Sequence, residues 1–188
     1  TPERIAKENF DEVIVAIGSE PLYLPIDGLD GDNVVPAIRT VEEEPNMGEN
    51  VVVIGGGEIG VEMGIYLARK GHQVELLEMG STLSPESVPV HFRSVFEKTW
   101  EEQAGFHYHL GARCVGVDPD GVRYVDKDGN EHKLPADKVL LAAGMKARQT
   151  EAMTFMDGNV RTHMIGDCLK VGCIQTGLRA AYALANNI

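Results

Sequence analysis

The chain has 188 residues, 43% of them hydrophobic, and a net charge of −12. The length suits one large domain or two small ones, and the acidity argues against nucleic acid or an anionic membrane as partner, because both need clustered Lys and Arg. No apolar run approaches the ~20 residues that span a bilayer, and residues 1–10 carry no signal-peptide pattern. A phosphate ligand stays open, since backbone N–H groups and a helix dipole hold anions without basic side chains. The three cysteines, Cys114, Cys168 and Cys173, form no C-x-x-C pair, and an odd number argues against a disulfide framework. A reducing cytoplasm is the simple expectation. Cys168 and Cys173 read as ordinary small residues rather than a redox pair.

Residues 1–9 carry no recognisable domain start. Residues 10–18, Phe-Asp-Glu-Val-Ile-Val-Ala-Ile-Gly, read as a short buried strand closed by glycine, as in a parallel sheet. Residues 19–48 hold Pro21, Pro25, Gly28, Gly31, Pro36, Pro45 and Gly48, and are expected as an extended connector without a core element. Residues 51–54, Val-Val-Val-Ile, form the central strand. A helix over 58–70 follows, with Ile59, Met63, Tyr66 and Leu67 at helical spacing. Gly60 and Gly64 lie one turn apart on it and leave one face bare for close approach to the sheet. Gly71 is its C-cap.

Residues 73–78 form the second strand of this unit, ending on Glu78. Residues 79–89 are a Ser/Pro loop. Residues 90–104 read as an amphipathic helix with Phe92, Val95, Phe96 and Trp100 as its buried stripe. A strand at 106–110 follows. Short strands at 115–117, 122–125 and 132–134 are separated by Pro-Asp-Gly and Lys-Asp-Gly-Asn, which are hairpin turns. Residues 137–144 return to the buried-strand pattern and end in Ala143-Gly144. Residues 145–161 read as a polar connector, 162–167 as a strand closed by Gly166-Asp167, and 175–187 as a helix with Leu178, Ala181, Tyr182, Leu184 and Ala185 available for packing. Together these elements predict an α/β fold: a Rossmann-like parallel sheet flanked by helices, with a small antiparallel β-meander crossover.

Gly55, Gly57 and Gly60 have the G-x-G-x-x-G spacing. The spacing alone is weak evidence in a chain with 21 glycines. Its context is stronger. A strand precedes the glycines, a helix follows them, and the acidic residue that the fingerprint requires about 20 positions on is supplied by Glu78 at the end of the next strand. Gly55 permits the tight turn, Gly57 lets the backbone approach a pyrophosphate, and Gly60 allows close helix–strand packing. Glu78 accepts from the adenosine ribose hydroxyls and repels a 2′-phosphate, and Met79-Gly80-Ser81 offer no cation. NADH is therefore expected over NADPH. Glu58 and Glu62 suit the helix dipole, and Glu62 is also a candidate for the nicotinamide end. The cofactor-binding candidates of this unit are Gly55, Gly57, Glu58, Ile59, Gly60, Glu62 and Glu78.

With these segments in hand, the chain resembles the two-dinucleotide-binding-domain flavoprotein reductases, in which an NAD domain is inserted into an FAD domain. Val-Ile-Val-Ala-Ile-Gly (13–18) and Val-Leu-Leu-Ala-Ala-Gly (139–144) resemble that family's two A-T-G-like crossover strands, which adds Gly18, Ala143 and Gly144 to the candidates. Residues 162–167 resemble its second FAD motif, and the resemblance implies that Asp167, beside Gly166, contacts the flavin ribityl or pyrophosphate region. Gly166-Asp167-Cys168, Ile174-Gln175-Thr176 and Arg179-Ala180-Ala181 narrow the resemblance to the NADH:flavin oxidoreductase / 2,4-dienoyl-CoA reductase group, which includes NADH oxidases. In that group a barrel carrying FMN and an iron–sulfur cluster precedes the FAD and NAD domains. Here the barrel, the cluster cysteines and the first FAD motif are missing, as are the paired cysteines of the disulfide-reductase branch. The chain is expected to be an excised piece: residues 1–45 a remnant of the FAD domain with its connector, 46–145 an NAD(P)H-binding domain, and 146–188 a C-terminal FAD-domain remnant.

The resemblance implies an NAD(P)H-dependent flavoprotein oxidoreductase, with NADH as cofactor, FAD in the longer parent, and the parent's FAD and FMN domains as partners. No side chain reads as a catalytic acid, base or nucleophile. His107 and His109 alternate on one strand with no third ligand beside them, so no metal site is expected. Alternatives on the same plan are a single-flavin ferredoxin- or rubredoxin-type reductase, and a non-catalytic NAD-binding redox-sensing module. An exposed sheet edge in the remnants is a possible route to a homodimer.

Overall fold

A computed structural model describes residues 1–8, 10–84, 90–156 and 160–188, with backbone alone at 90–93. In chain order the elements are α1 (Pro2–Ile5), β1 (Glu12–Val15), β2 (Ser19–Pro21), β3 (Val34–Pro36), α2 (Thr40–Glu43), β4 (Asn50–Ile54), α3 (Glu58–Lys70), β5 (Gln73–Glu78), α4 (Val90–Glu102), β6 (Phe106–Leu110), β7 (Arg113–Asp118), β8 (Gly121–Val125), β9 (Glu131–Pro135), β10 (Lys138–Leu141), β11 (Met145–Ala147), α5 (Gln149–Met153), β12 (Arg161–Met164) and α6 (Ile174–Ala185). The chain divides into two compact units, one of Thr1–Leu22 with Met145–Ile188, the other of Tyr23–Gly144.

The larger unit is built on a five-stranded sheet in the order β3-β10-β4-β5-β6, parallel throughout. Strands buried on both faces need apolar side chains in both alternating sets. Val51 and Val53 enter one core, with Ile65, Leu67, Trp100 and Phe106. Val52 and Ile54 enter the other, with Val117, Val122 and Tyr124. The helices thus cover one face of the sheet. The antiparallel meander β7-β8-β9 covers the other.

Helix α3 approaches the sheet closely because two of its residues have no side chain. A Cβ on Gly64 would come within 2.6 Å of the Phe106 ring, and one on Gly60 would collide with the Gly55 carbonyl oxygen. Gly71 caps the helix with φ 103°, the left-handed conformation that glycine adopts at least cost.

Two expected connectors contain ordered elements. Within residues 19–48, Val34–Pro36 is the outer strand of the parallel sheet, and Leu29, Val35, Ala37 and Met47 are buried. Three residues bounded by breakers give little signal, and Pro36 is tolerated because an edge strand has a free side. Within 145–161, β11 pairs antiparallel with β2, and α5 follows. Along α4, Phe96 and Trp100 stack edge to face at 5.0 Å, while Val95 is 65% exposed and not part of the buried stripe. The side chain of Phe92, and residues 85–89 of the expected Ser/Pro loop, lie outside what the structure describes.

The smaller unit pairs β1 with β12 in parallel around Val15, Ala152 and Cys168. On α6 the residues available for packing divide: Leu178 is 65% and Tyr182 75% exposed, while Ala181 and Leu184 are partly buried; Ile174, at the start of the helix, is exposed too.

Because the Gly64–Phe106 approach leaves no room, Gly64→Ala is expected to lower stability by about 1–3 kcal/mol. Urea unfolding followed at Trp100, the chain's one tryptophan and a member of the same core, measures it.

Candidate functional site

The order β3-β10-β4-β5-β6 places a topological switch beside β4 and β10. From β4 the chain moves outward through α3 to β5, whereas β10 lies on its other side. Crevices for ligands form outside the carboxyl ends of strands at such a point. Ile54 and Leu141 are register partners there, so the turns beginning at Gly55 and Ala142 are neighbours.

Gly55 takes φ 110°, and a Cβ on it would strike the Ala142 carbonyl. Gly60 packs under the same turn against Gly55 and Ala142. Gly57 is different: a Cβ there would meet nothing within 4 Å. It is the N-cap of α3 and no side chain caps it, so the first N–H groups of the helix face the opening without an intrahelical acceptor. A helix end left open in this way, with the helix dipole behind it, can hold an anion.

Glu78, at the end of β5, ties the site together. Its Oε2 accepts the Gly56 N–H at 2.7 Å and its Oε1 the Gly80 N–H at 2.5 Å. Gly56 has to be glycine, because a Cβ would press on Leu83 and on the Glu78 side chain at 2.7–2.8 Å. The Ser84 N–H bonds the Gly56 carbonyl at 2.7 Å, which folds the loop after β5 back over the turn. Each Glu78 oxygen keeps a free lone pair for a ligand hydroxyl.

A cavity of about 410 Å³ opens here, lined by Gly55, Gly57, Glu78, Ala143 and Gly144, and also by Leu24, Ile26, Met79, Arg113 and Cys114. That volume is in the range of cofactor pockets. The open face of Gly57, the uncapped helix end and the acceptor at Glu78 fit a dinucleotide. Glu58, Ile59 and Glu62 sit on the exposed side of α3 and do not line this cavity. Burial, then the Glu58 charge, lifts the Glu62 carboxyl above its usual range. Sequence reasoning missed Leu24, Ile26, Arg113 and Cys114 as lining residues, because they come from the connector and the meander. It also passed over Gly56, whose signal was only that it is the middle glycine of the run Gly55–Gly57.

Gly18, Gly166 and Asp167 lie in the smaller unit. Val15 and Met164 are partners at the carboxyl ends of β1 and β12. Gly18 (φ 76°) and Gly166 (φ 68°) follow them, each with open space where a Cβ would stand. Asp167 accepts the Ser19 hydroxyl at 3.4 Å and the Gly172 N–H at 3.2 Å.

No helix among the described residues is long and apolar enough to cross a membrane, and none of their His, Cys, Asp and Glu side chains form a group of three able to hold a metal. His109 instead pairs with Glu75 at 2.8 Å.

A glycine turn at a switch point, an uncapped helix end and an acidic residue closing the next strand define a dinucleotide-binding domain of the Rossmann class. Over residues 3–179 the chain matches the pyridine nucleotide-disulphide oxidoreductase family, and it belongs to that family, whose cofactors are FAD and NAD(H). It is 32% identical to an NADH oxidase of Thermoanaerobacter brockii over 97% of this chain and 29% of that protein. It is 31% identical to a bilirubin reductase of Mediterraneibacter gnavus over 98% of this chain and 28% of that one. A 2-naphthoyl-CoA reductase structure superimposes on the whole chain with TM-score 0.92 and 25% identity, over 28% of its own length. The chain therefore spans less than a third of the length of these relatives.

All three cysteines are free; Cys114 and Cys168 are buried and Cys173 is exposed. Burial pushes the Cys114 thiol up. Hydrogen bonds from Thr176 and the Gln175 N–H pull Cys173 down. A disulfide reagent at neutral pH is expected to titrate one thiol in the folded protein and three after denaturation, with Cys173 reacting faster than an ordinary cysteine.

Proposed function

We propose that Tyr23–Gly144 is the NADH-binding domain of a flavin-dependent oxidoreductase related to NADH oxidases and 2,4-dienoyl-CoA reductases, and that the smaller unit belongs to its FAD-binding domain. The observation that carries the reading is Gly57: an N-cap with open space at its Cβ position, in a cavity that Glu78 also lines. NADH supplies a hydride and FAD accepts it when both are bound.

The chain's own residues position and discriminate. Gly55 and Gly57 let the backbone come up to the pyrophosphate, and the first turn of α3 at Glu58–Gly60 presents N–H groups to it. Glu78 accepts from the ribose hydroxyls and disfavours a 2′-phosphate. Ala143 and Gly144 line the same cavity, and Glu62, on the exposed side of α3, is assigned to the nicotinamide end. Gly18, Gly166 and Asp167 form the flavin-side counterpart, at the ends of β1 and β12.

The small unit supports its part of the reading. A two-stranded parallel sheet is below the size at which sheets stand alone. Parallel strands are normally covered on both faces, yet Ile14, Leu178 and Tyr182 are exposed. Further chain, bearing the FAD and FMN domains, would cover these surfaces; a homodimer is the other way to do so. Three free cysteines suit a cytoplasmic setting.

Calorimetry with NADH and NADPH tests the proposal. NADH is expected to bind the 188-residue chain more tightly than NADPH. Absence of NADH binding overturns the assignment, and tighter NADPH binding overturns the preference. Gly57→Val is expected to abolish binding while leaving the circular dichroism spectrum unchanged.

A further inference from the structure

Arg113 lines the cavity with no counter-ion among the described residues. The other basic side chains of the meander are engaged. Arg123 pairs with Asp118 at 3.3 Å, Lys133 with Asp118 and Asp120, and Lys127 with Asp128. Arg113 has no hydrogen bond or ion pair among the described residues, although the chain is strongly acidic. Its place is fixed by its own pairing with Val125 across β7 and β8 and by the backbone before it. The Ala112 N–H bonds the Glu78 carbonyl and the Gly111 N–H bonds the Gly80 carbonyl, both at 2.9 Å. The start of β7 is thereby pinned to the end of β5, and Arg113, Glu78 and Met79 line the same cavity.

We infer that Arg113 is a second determinant of nucleotide choice: a guanidinium at the adenosine end whose attraction for a 2′-phosphate is opposed by the Glu78 carboxylate. This rests on the cavity being the dinucleotide site. A guanidinium is the side chain best matched to a phosphate, which it binds through paired N–H donors. The residues following Glu78 offer no cation, so discrimination lies in the balance between one carboxylate and one arginine from a different strand. Removing the carboxylate leaves a phosphate-compatible site with no new cation required.

The test uses adenosine 2′,5′-bisphosphate and 5′-AMP as calorimetric probes, with NADH binding as the reference. Glu78→Gln is expected to raise the bisphosphate-to-AMP affinity ratio about tenfold, the scale of one hydrogen bond to a charged group. Adding Arg113→Ala is expected to erase that gain. Retention of the gain in the double variant overturns the inference, as does an equal loss of both probes. Glu78 also ties Gly56 to Gly80, so Arg113→Ala is measured alone as well. It should weaken the bisphosphate about fivefold while leaving AMP within about twofold, and an unchanged ratio overturns the inference without reference to Glu78. A wild-type chain that binds NADH but shows no Arg113 effect refutes this proposal only. A chain that binds neither NADH nor AMP refutes the dinucleotide site itself, and this proposal with it.

Discussion

The structure depends on how closely helix α3 lies against its sheet. Gly60 sits on the Gly55 carbonyl and Gly64 on the Phe106 ring, in spaces that admit no Cβ. That approach brings the first turn of α3 to the carboxyl ends of β4 and β10, where Gly55 turns under Ala142. An anion held by backbone N–H groups needs the helix end at that position, since the donors cannot extend as side chains do. Core packing and ligand geometry are here one constraint, and this explains why three positions of the turn and first helical turn are glycine for different reasons. Gly55 needs its φ, Gly60 needs contact, and Gly57 needs emptiness.

The features that sequence revealed are those where one residue type has one physical use. Val51, Val52, Val53 and Ile54 alternate into two cores, so a continuous apolar run reads as a strand buried on both faces. The glycine spacing, with Glu78 closing β5, gave the turn and the acceptor. Long-range contributions were not visible. Val34–Pro36 is too short to signal a strand, and it is ordered by pairing with β10, whose residues lie far along the chain. Arg113 and Cys114 reach the cavity only because the meander folds back across the sheet. The stripe on α6 was visible as apolar, but periodicity cannot say whether a partner surface lies over it.

The two units contrast in how complete they are. The larger has cores on both faces of its sheet, and its cavity is lined by its own residues alone. The smaller has one small cluster around Val15, Ala152 and Cys168, and leaves Ile174, Leu178 and Tyr182 to solvent. By area, side chains of this size lose about 1.5–3 kcal/mol each when left unburied. The proposed nucleotide site thus draws on the larger unit alone, while the smaller unit keeps an apolar surface exposed.

Glu78 carries two duties that pull against each other. Its carboxylate holds the Gly56 and Gly80 N–H groups, and in the proposed site the same oxygens would accept from the ligand. Any change there alters the shape of the turn as well as the charge of the pocket, because Gly56 and the loop through Ser84 are arranged around it. Arg113 has no such structural duty. Its side chain is exposed and unpaired among the described residues, while its backbone is held in the β7–β8 ladder opposite Val125 and by the residues before it. A site with its negative determinant built into the turn and its positive determinant on a separate strand can shift preference through the second without disturbing the first. The acidic member is the part the fold cannot replace, and the basic member is the part free to vary.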